Sequence, residues 1–163
     1  MTIIDLVGKL PVHKTLKYLT RELSQIKFLV LHHAAGPEDQ TPQQIAYFHV
    51  NGRQWPGIAY HFVIATDGTV YKCWPQTTKT YCVANGNTNS LCVVLIGNRS
   101  VVPCPPTQWT AAVELFQTLR EAYPGRQIFG HLEVPTDPPQ TTRCPGALLD
   151  MTAFRQAVEL QEA

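Results

Sequence analysis

The sequence predicts an α/β domain in which one mixed β-sheet carries α-helices on its faces. Three observations lead there. Two apolar runs, Phe28-Leu29-Val30-Leu31 and Leu91-Cys92-Val93-Val94-Leu95-Ile96, have the continuous character of strands covered on both sides. Between them, Asp67-Gly68 is a hairpin turn signal that joins the apolar stretch 58–64 to 70–74 and demands an antiparallel pair in the same sheet. Helical spacing then governs Trp109, Ala112, Val113, Phe116, Leu119 and Tyr123, and again Met151, Phe154 and Val158. That is the amphipathic pattern of helices laid on a sheet.

Taken in order, residues 1–26 hold Gly8, Pro11 and scattered charges without a sustained period, and read as an arm of little regular structure packed across the domain. The first strand covers 27–33 and ends on His32-His33 before Pro37. Thr41-Pro42-Gln43-Gln44 opens a helix, with threonine as N-cap, proline at the first helical position and glutamine at N3. Ile45 and Phe48, with His49 as a further candidate, supply its buried stripe and Asn51-Gly52 ends it, although His49 is most simply a helix-surface residue. After the hairpin, a polar stretch from Pro75 to Ser90 leads to the strand 91–97, expected in the middle of the sheet. Thr107 is the expected cap of the next helix, which Pro124-Gly125 terminates. A short strand at 127–131 ends on His131, a proline-rich loop runs to Cys144-Pro145-Gly146, and a final helix spans about 148–160. No repeat and no linker divides the chain.

A chain of 163 residues can bury roughly two thirds of its unfolded surface, so neither metal nor disulfide is required merely to fold it. The net charge of +1, with both signs interspersed, lacks the electrostatic footprint that nucleic acid or an anionic membrane would need. No apolar run approaches the roughly 20 residues of a membrane span, and Met1-Thr2-Ile3-Ile4-Asp5-Leu6 does not resemble an export signal. Among five cysteines at least one lacks a partner within the chain, and Cys73, Cys82, Cys92 and Cys104 could form up to two disulfides or stay as buried thiols.

His32, His131 and Cys144 each stand at the end of an element. Two imidazoles and a thiolate leave the fourth position of a tetrahedral zinc open, as a catalytic site requires. His33 neighbours His32 on a strand and should face the other way, which leaves it at most a supporting role. The same residues also fit a plainer arrangement, with His131 a hydrogen-bonded core histidine and Cys144 an apolar filler. Their spacing does not choose between the two.

The motifs Val30-Leu31-His32-His33-Ala34, Ala59-Tyr60-His61-Phe62-Val63-Ile64, Asp67-Gly68-Thr69-Val70-Tyr71, Asn89-Ser90-Leu91, Gly130-His131 and Thr142-Arg143-Cys144-Pro145-Gly146 occur in that order over about 27–158. As a set they resemble the N-acetylmuramoyl-L-alanine amidases of type 2, in the branch of T7 lysozyme and the peptidoglycan-recognition proteins. The resemblance implies an arm at 1–26 and a zinc amidase domain at 27–163. It implies one zinc ion on His32, His131 and Cys144, with Tyr60 and Thr142 as catalytic residues. The activity implied is hydrolysis of the amide between N-acetylmuramic acid and L-alanine in peptidoglycan by a phage or prophage endolysin. Such an enzyme is expected as a monomer, held in the host cytoplasm until lysis and then acting on the cell wall, with neither nucleic acid nor membrane as partner.

Two alternatives accompany that reading. One is a peptidoglycan-binding protein of the same fold that does not cut, and the other is a cysteine hydrolase built on Cys144 and His131. The chain also departs from the family pattern. Val94 stands where a related branch has glutamate, Cys82 stands where histidine is frequent, and twelve residues separate His131 from Cys144. Asp137 in that long connection is a rival third ligand. Trp55, Trp74 and Asn85 are candidates to line a saccharide or peptide groove, while His61 is expected to be packed.

Overall fold

Strand β3 (Phe28–His33) is buried along almost its whole length because it lies between two parallel neighbours, β7 (Ser90–Leu95) and β8 (Gln127–Gly130). The computed structural model describes residues 1–160; residues 161–163, the end of the expected domain, lie outside it. The full sheet has six strands in the order β1-β5-β4-β7-β3-β8, where β1 is Ile3–Asp5, β4 Phe62–Ile64 and β5 Val70–Lys72. β4 runs parallel to β7 and antiparallel to β5, so the sheet is mixed and β7 is interior, as the apolar run predicts.

Alternation along the strands sorts their side chains between two apolar layers. Leu29, Leu31, Leu91, Val93 and Leu95 pack with Leu115 and Phe116 of α2 (Pro106–Ala122) and Phe154 of α3 (Met151–Glu159). Val63 and Val94 join Ile45 and Ala46 of α1 (Pro42–Tyr47) on the opposite face, beside a cluster containing Val30, Ala59 and Cys92. No described helix is long and apolar enough to cross a membrane.

Thr41 caps α1 as expected, accepting from Gln44 N while the Gln44 side chain accepts from Thr41 N. The helix then widens into a π turn, Phe48–Gly52, that swings His49 inward. Thr107 is not the cap of α2. Pro106 starts that helix, and the Thr107 hydroxyl donates instead to Thr66 O. The expected strand at 58–64 is regular only from Phe62, because side chains take the ladder's place before it. Ala59 N donates to His49 Nδ1, and Ile58 O accepts from Trp74 Nε1. The last helix starts at Met151, where Asp150 accepts from Ala153 N.

The arm is more ordered than its sequence suggests. β1 pairs with the free edge of β5, and β2 (Leu19–Thr20) forms a two-stranded ribbon with β6 (Thr78–Lys79). Buried Arg21 then donates to the carbonyls of Gln76, Asn87, Thr88 and Ser90, which fastens the polar stretch before β7. Cys82 and Cys92 form a disulfide, while Cys73, Cys104 and Cys144 are free thiols.

Candidate metal centre and its cavity

Register brings the two histidines together. β8 pairs with β3 up to Leu31↔Gly130, so His131, the first residue after β8, lies beside His32, which stays in β3 opposite Val94 of β7. Their rings lie 4.7 Å apart between centroids. Cys144 arrives by close packing. A Cβ on Gly130 would fall 2.7 Å from Pro145 Cδ, and one on Gly146 (φ +105°) would fall 2.5 Å from the Arg99 carbonyl carbon. Glycine at both places lets the Cys144 turn press against the end of the sheet. Leu132 N donates to Cys144 O and Cys144 N to Thr142 Oγ1, which hold the turn in place.

The donor atoms of His32, His131 and Cys144 consequently lie within 4.8 Å of one another, and Cys144 Sγ is 3.6 Å from His32 Nδ1. Tetrahedral zinc, with bonds of about 2.05 Å to nitrogen and 2.3 Å to sulfur, places such a pair about 3.6 Å apart. The donor set therefore fits zinc. His32 also has the sulfurs of Cys82 and Cys92 nearby, but these are bonded to each other and offer no thiolate. Asp137 is exposed and joins no such group among the described residues, so it is not the rival ligand.

Burial holds both imidazoles below their usual range. For His32 the neighbouring His131, His33 and His61 add to the effect, and for His131 a hydrogen bond with Gln140 opposes it. Both rings are neutral near pH 7, the form that binds metal. Burial pushes the Cys144 thiol up to about 12 despite a hydrogen bond from His33 N at 3.3 Å. A cation at this position would favour the thiolate.

These groups form one wall of a cavity of about 590 Å³. Tyr60 borders it, with its ring 5.2 Å from that of His32, and burial, with Cys144 adding, raises its phenol above the ordinary range. Thr142 also lines the cavity. Its oxygen accepts from Cys144 N, which leaves the hydroxyl hydrogen free to donate elsewhere. His33 also borders the cavity but stands outside the donor group, and its Nδ1 accepts from Arg99 N. His61 is fully buried, with its ring hydrogen-bonded to Thr78 O and Cys92 N.

Of the three proposed groove residues only Trp55 borders this cavity; Trp74 supports Ile58, and Asn85 lines a separate small depression. The sequence reading missed His49, Arg53, Tyr81 and Gln140, all on the cavity wall. His49 is buried rather than exposed, stacks 4.9 Å from Trp55, and has its pKa lowered to about 4 by burial and then by Arg53. A π turn leaves no mark in helical periodicity, so the sequence did not show that His49 would face the cavity.

A mixed six-stranded sheet with a His, His, Cys set beside the ends of two parallel strands defines the class: an α/β domain whose donor set could hold a metal ion beside a cavity. The chain belongs to the N-acetylmuramoyl-L-alanine amidase family, whose profile matches residues 22–147. It is similar to the Ph2119 endolysin from the Thermus scotoductus MAT2119 bacteriophage, with 34% identity, a TM-score of 0.80, and 96% of this chain and 98% of that one covered. The N-acetylmuramoyl-L-alanine amidase LysC from Clostridium intestinale is 25% identical with a TM-score of 0.73, over 93% of this chain and 97% of that one. Peptidoglycan-recognition protein SC2 of Drosophila melanogaster is 28% identical over 131 residues, 74% of this chain and 68% of its own.

Proposed function

We propose that this protein is a zinc-dependent amidase that hydrolyses the bond between N-acetylmuramic acid and L-alanine in peptidoglycan. The observation that carries the reading is the convergence of three metal donors on the wall of an open cavity that also holds Tyr60 and Thr142. Zinc bound there would polarise the scissile carbonyl and lower the pKa of water toward about 7. Tyr60, kept protonated by burial, donates a hydrogen bond to the carbonyl oxygen as negative charge develops, an effect worth roughly 3 to 4 kcal/mol for a comparable donor. Thr142 keeps the cysteine turn in place and offers a second, neutral donor.

Val94, buried opposite His32 in the register, carries no carboxylate, and none lines the cavity among the described residues. Proton transfer to the leaving amine therefore passes through water or a neutral side chain. The 34% identity to a phage endolysin across nearly the full length of both chains supports a lytic role; that the protein acts on the wall as a monomer after release from the host cytoplasm is part of the same proposal. The non-cutting alternative draws support from the recognition-protein relatives, but Cys144 completes a full donor set here.

Zinc content should approach one ion per chain, and purified sacculi should yield new L-alanine amino termini that vanish with chelator and return with zinc. Metal-free protein that binds sacculi without cutting them would overturn the reading. Cutting that resists chelator but not a thiol reagent would point to the cysteine mechanism instead.

A further inference from the structure

The long connection between His131 and Cys144 holds a hydrogen-bond chain that ends on a metal-donor histidine. His131 Nε2 lies 3.0 Å from Gln140 Oε1. The Gln140 amide nitrogen lies 2.8 Å from Ala84 O and 2.7 Å from Thr136 Oγ1, while the Thr136 hydroxyl donates to Pro138 O at 2.9 Å. The direction of every bond follows from chemistry. Carbonyls only accept, so the NH2 group of Gln140 faces Ala84, and the Thr136 oxygen, having given its hydrogen to Pro138, accepts from the same group. Gln140 Oε1 is left facing His131 and can only accept, so His131 Nε2 must carry the proton. In a neutral imidazole this leaves the lone pair on Nδ1.

We infer that Gln140 is a positioning residue that locks His131 in its Nε2–H tautomer and thereby reserves Nδ1 for the metal. The inference rests on the zinc reading above and goes beyond it. The lock joins two walls of the cavity. Thr136 and Gln140 come from the connection after His131, whereas Ala84 comes from the stretch between the disulfide residue Cys82 and β7. Gly86 makes room for it, since a Cβ there would come within 3.2 Å of Thr136 Cγ2. The extra length of the connection is thus used to hold a ligand, as acceptors behind metal-bound histidines commonly do.

Gln140→Met removes the acceptor while nearly keeping shape, and Gln140→Glu keeps the acceptor while losing the two donors. Zinc affinity by competition with a chromophoric chelator, together with 15N chemical shifts of the His131 ring in metal-free protein, reads the effect. Unchanged melting and circular dichroism will identify folded variants. The Met variant should bind zinc about 10- to 100-fold more weakly and lose the Nε2–H signature, and the Glu variant should keep both near wild type. A Met variant with wild-type affinity and tautomer overturns the assignment. So does an equal loss in both variants, which would mean that anchoring the connection, not accepting from Nε2, is what matters. Should the wild type take up no zinc, the functional reading fails, but the metal-free tautomer still decides the role of Gln140.

Discussion

Acid should destabilise this protein in part through His61, a histidine fully shielded from solvent. Its Nδ1 accepts from Cys92 N at 3.1 Å, and its Nε2 lies 2.8 Å from the Thr78 carbonyl, to which it must donate. Both ring nitrogens are therefore satisfied in the neutral state alone. A second proton would abolish the bond from Cys92 and place a cation beside Arg21, whose Nη2 is 3.3 Å away. Burial, followed by Arg21, brings the pKa to about 3, against 6.5 for an unhindered imidazole. Because the folded value is the lower one, the unfolded chain binds the extra proton between these limits. The stabilisation is complete above pH 6.5 and is lost as pH falls, at about 1.4 kcal/mol per pH unit and roughly 5 kcal/mol in all. In His61→Asn the level at neutral pH will drop because packing and hydrogen bonds are lost, so the slope is the quantity to measure. Urea titrations of metal-free protein between pH 4.5 and 6 should show the free energy of unfolding changing by about 1.4 kcal/mol per pH unit less in the variant than in wild type. Equal slopes would refute the reasoning.

Tyr60→Phe should keep its zinc and fold but lose about 10²- to 10³-fold in kcat on sacculi, the usual cost of one oxyanion donor; an unchanged kcat would remove the phenol from the mechanism. Cys144→Ala should lose most of its zinc by elemental analysis while Asp137→Ala keeps its full complement, and the reverse pattern would contradict the donor set described here. Arg99 is fully buried, donates to Ile96 O, Val102 O, Pro103 O and the Glu38 carboxylate, and its main-chain N–H holds His33. Because Glu38 is partly exposed and stays solvated, Arg99→Met should cost about 1 to 3 kcal/mol in chemical denaturation through the carbonyls left without a donor, and an unchanged stability would show that these carbonyls find other partners.

Much of this molecule is legible from short stretches because the responsible forces act over short stretches. Burial on both faces makes 28–31 and 91–95 continuously apolar, Asp67-Gly68 turns a hairpin, and Thr41 with Gln44 caps a helix whatever else surrounds them. His32, His131 and Cys144 stood out as candidates for the same reason, each sitting where a local pattern stops. Their convergence belongs to the tertiary structure. It depends on β8 stopping opposite Leu31 and on two glycines that admit the Cys144 turn; Gly130 and Gly146 stand beside His131 and Cys144 in the chain, but the groups they press against, Pro145 and Arg99, are brought there only by the fold. The same holds for the arm strand on the β5 edge, the Cys82–Cys92 pairing, the inward swing of His49 and the rejection of Asp137. The sequence by itself determined the central strands, the main helices and which side chains could bind a metal, since propensity, capping and burial are local. Only the tertiary structure decided which of those side chains meet and how Gln140 faces one of them, because register and close packing join residues as far apart as His32 and Cys144.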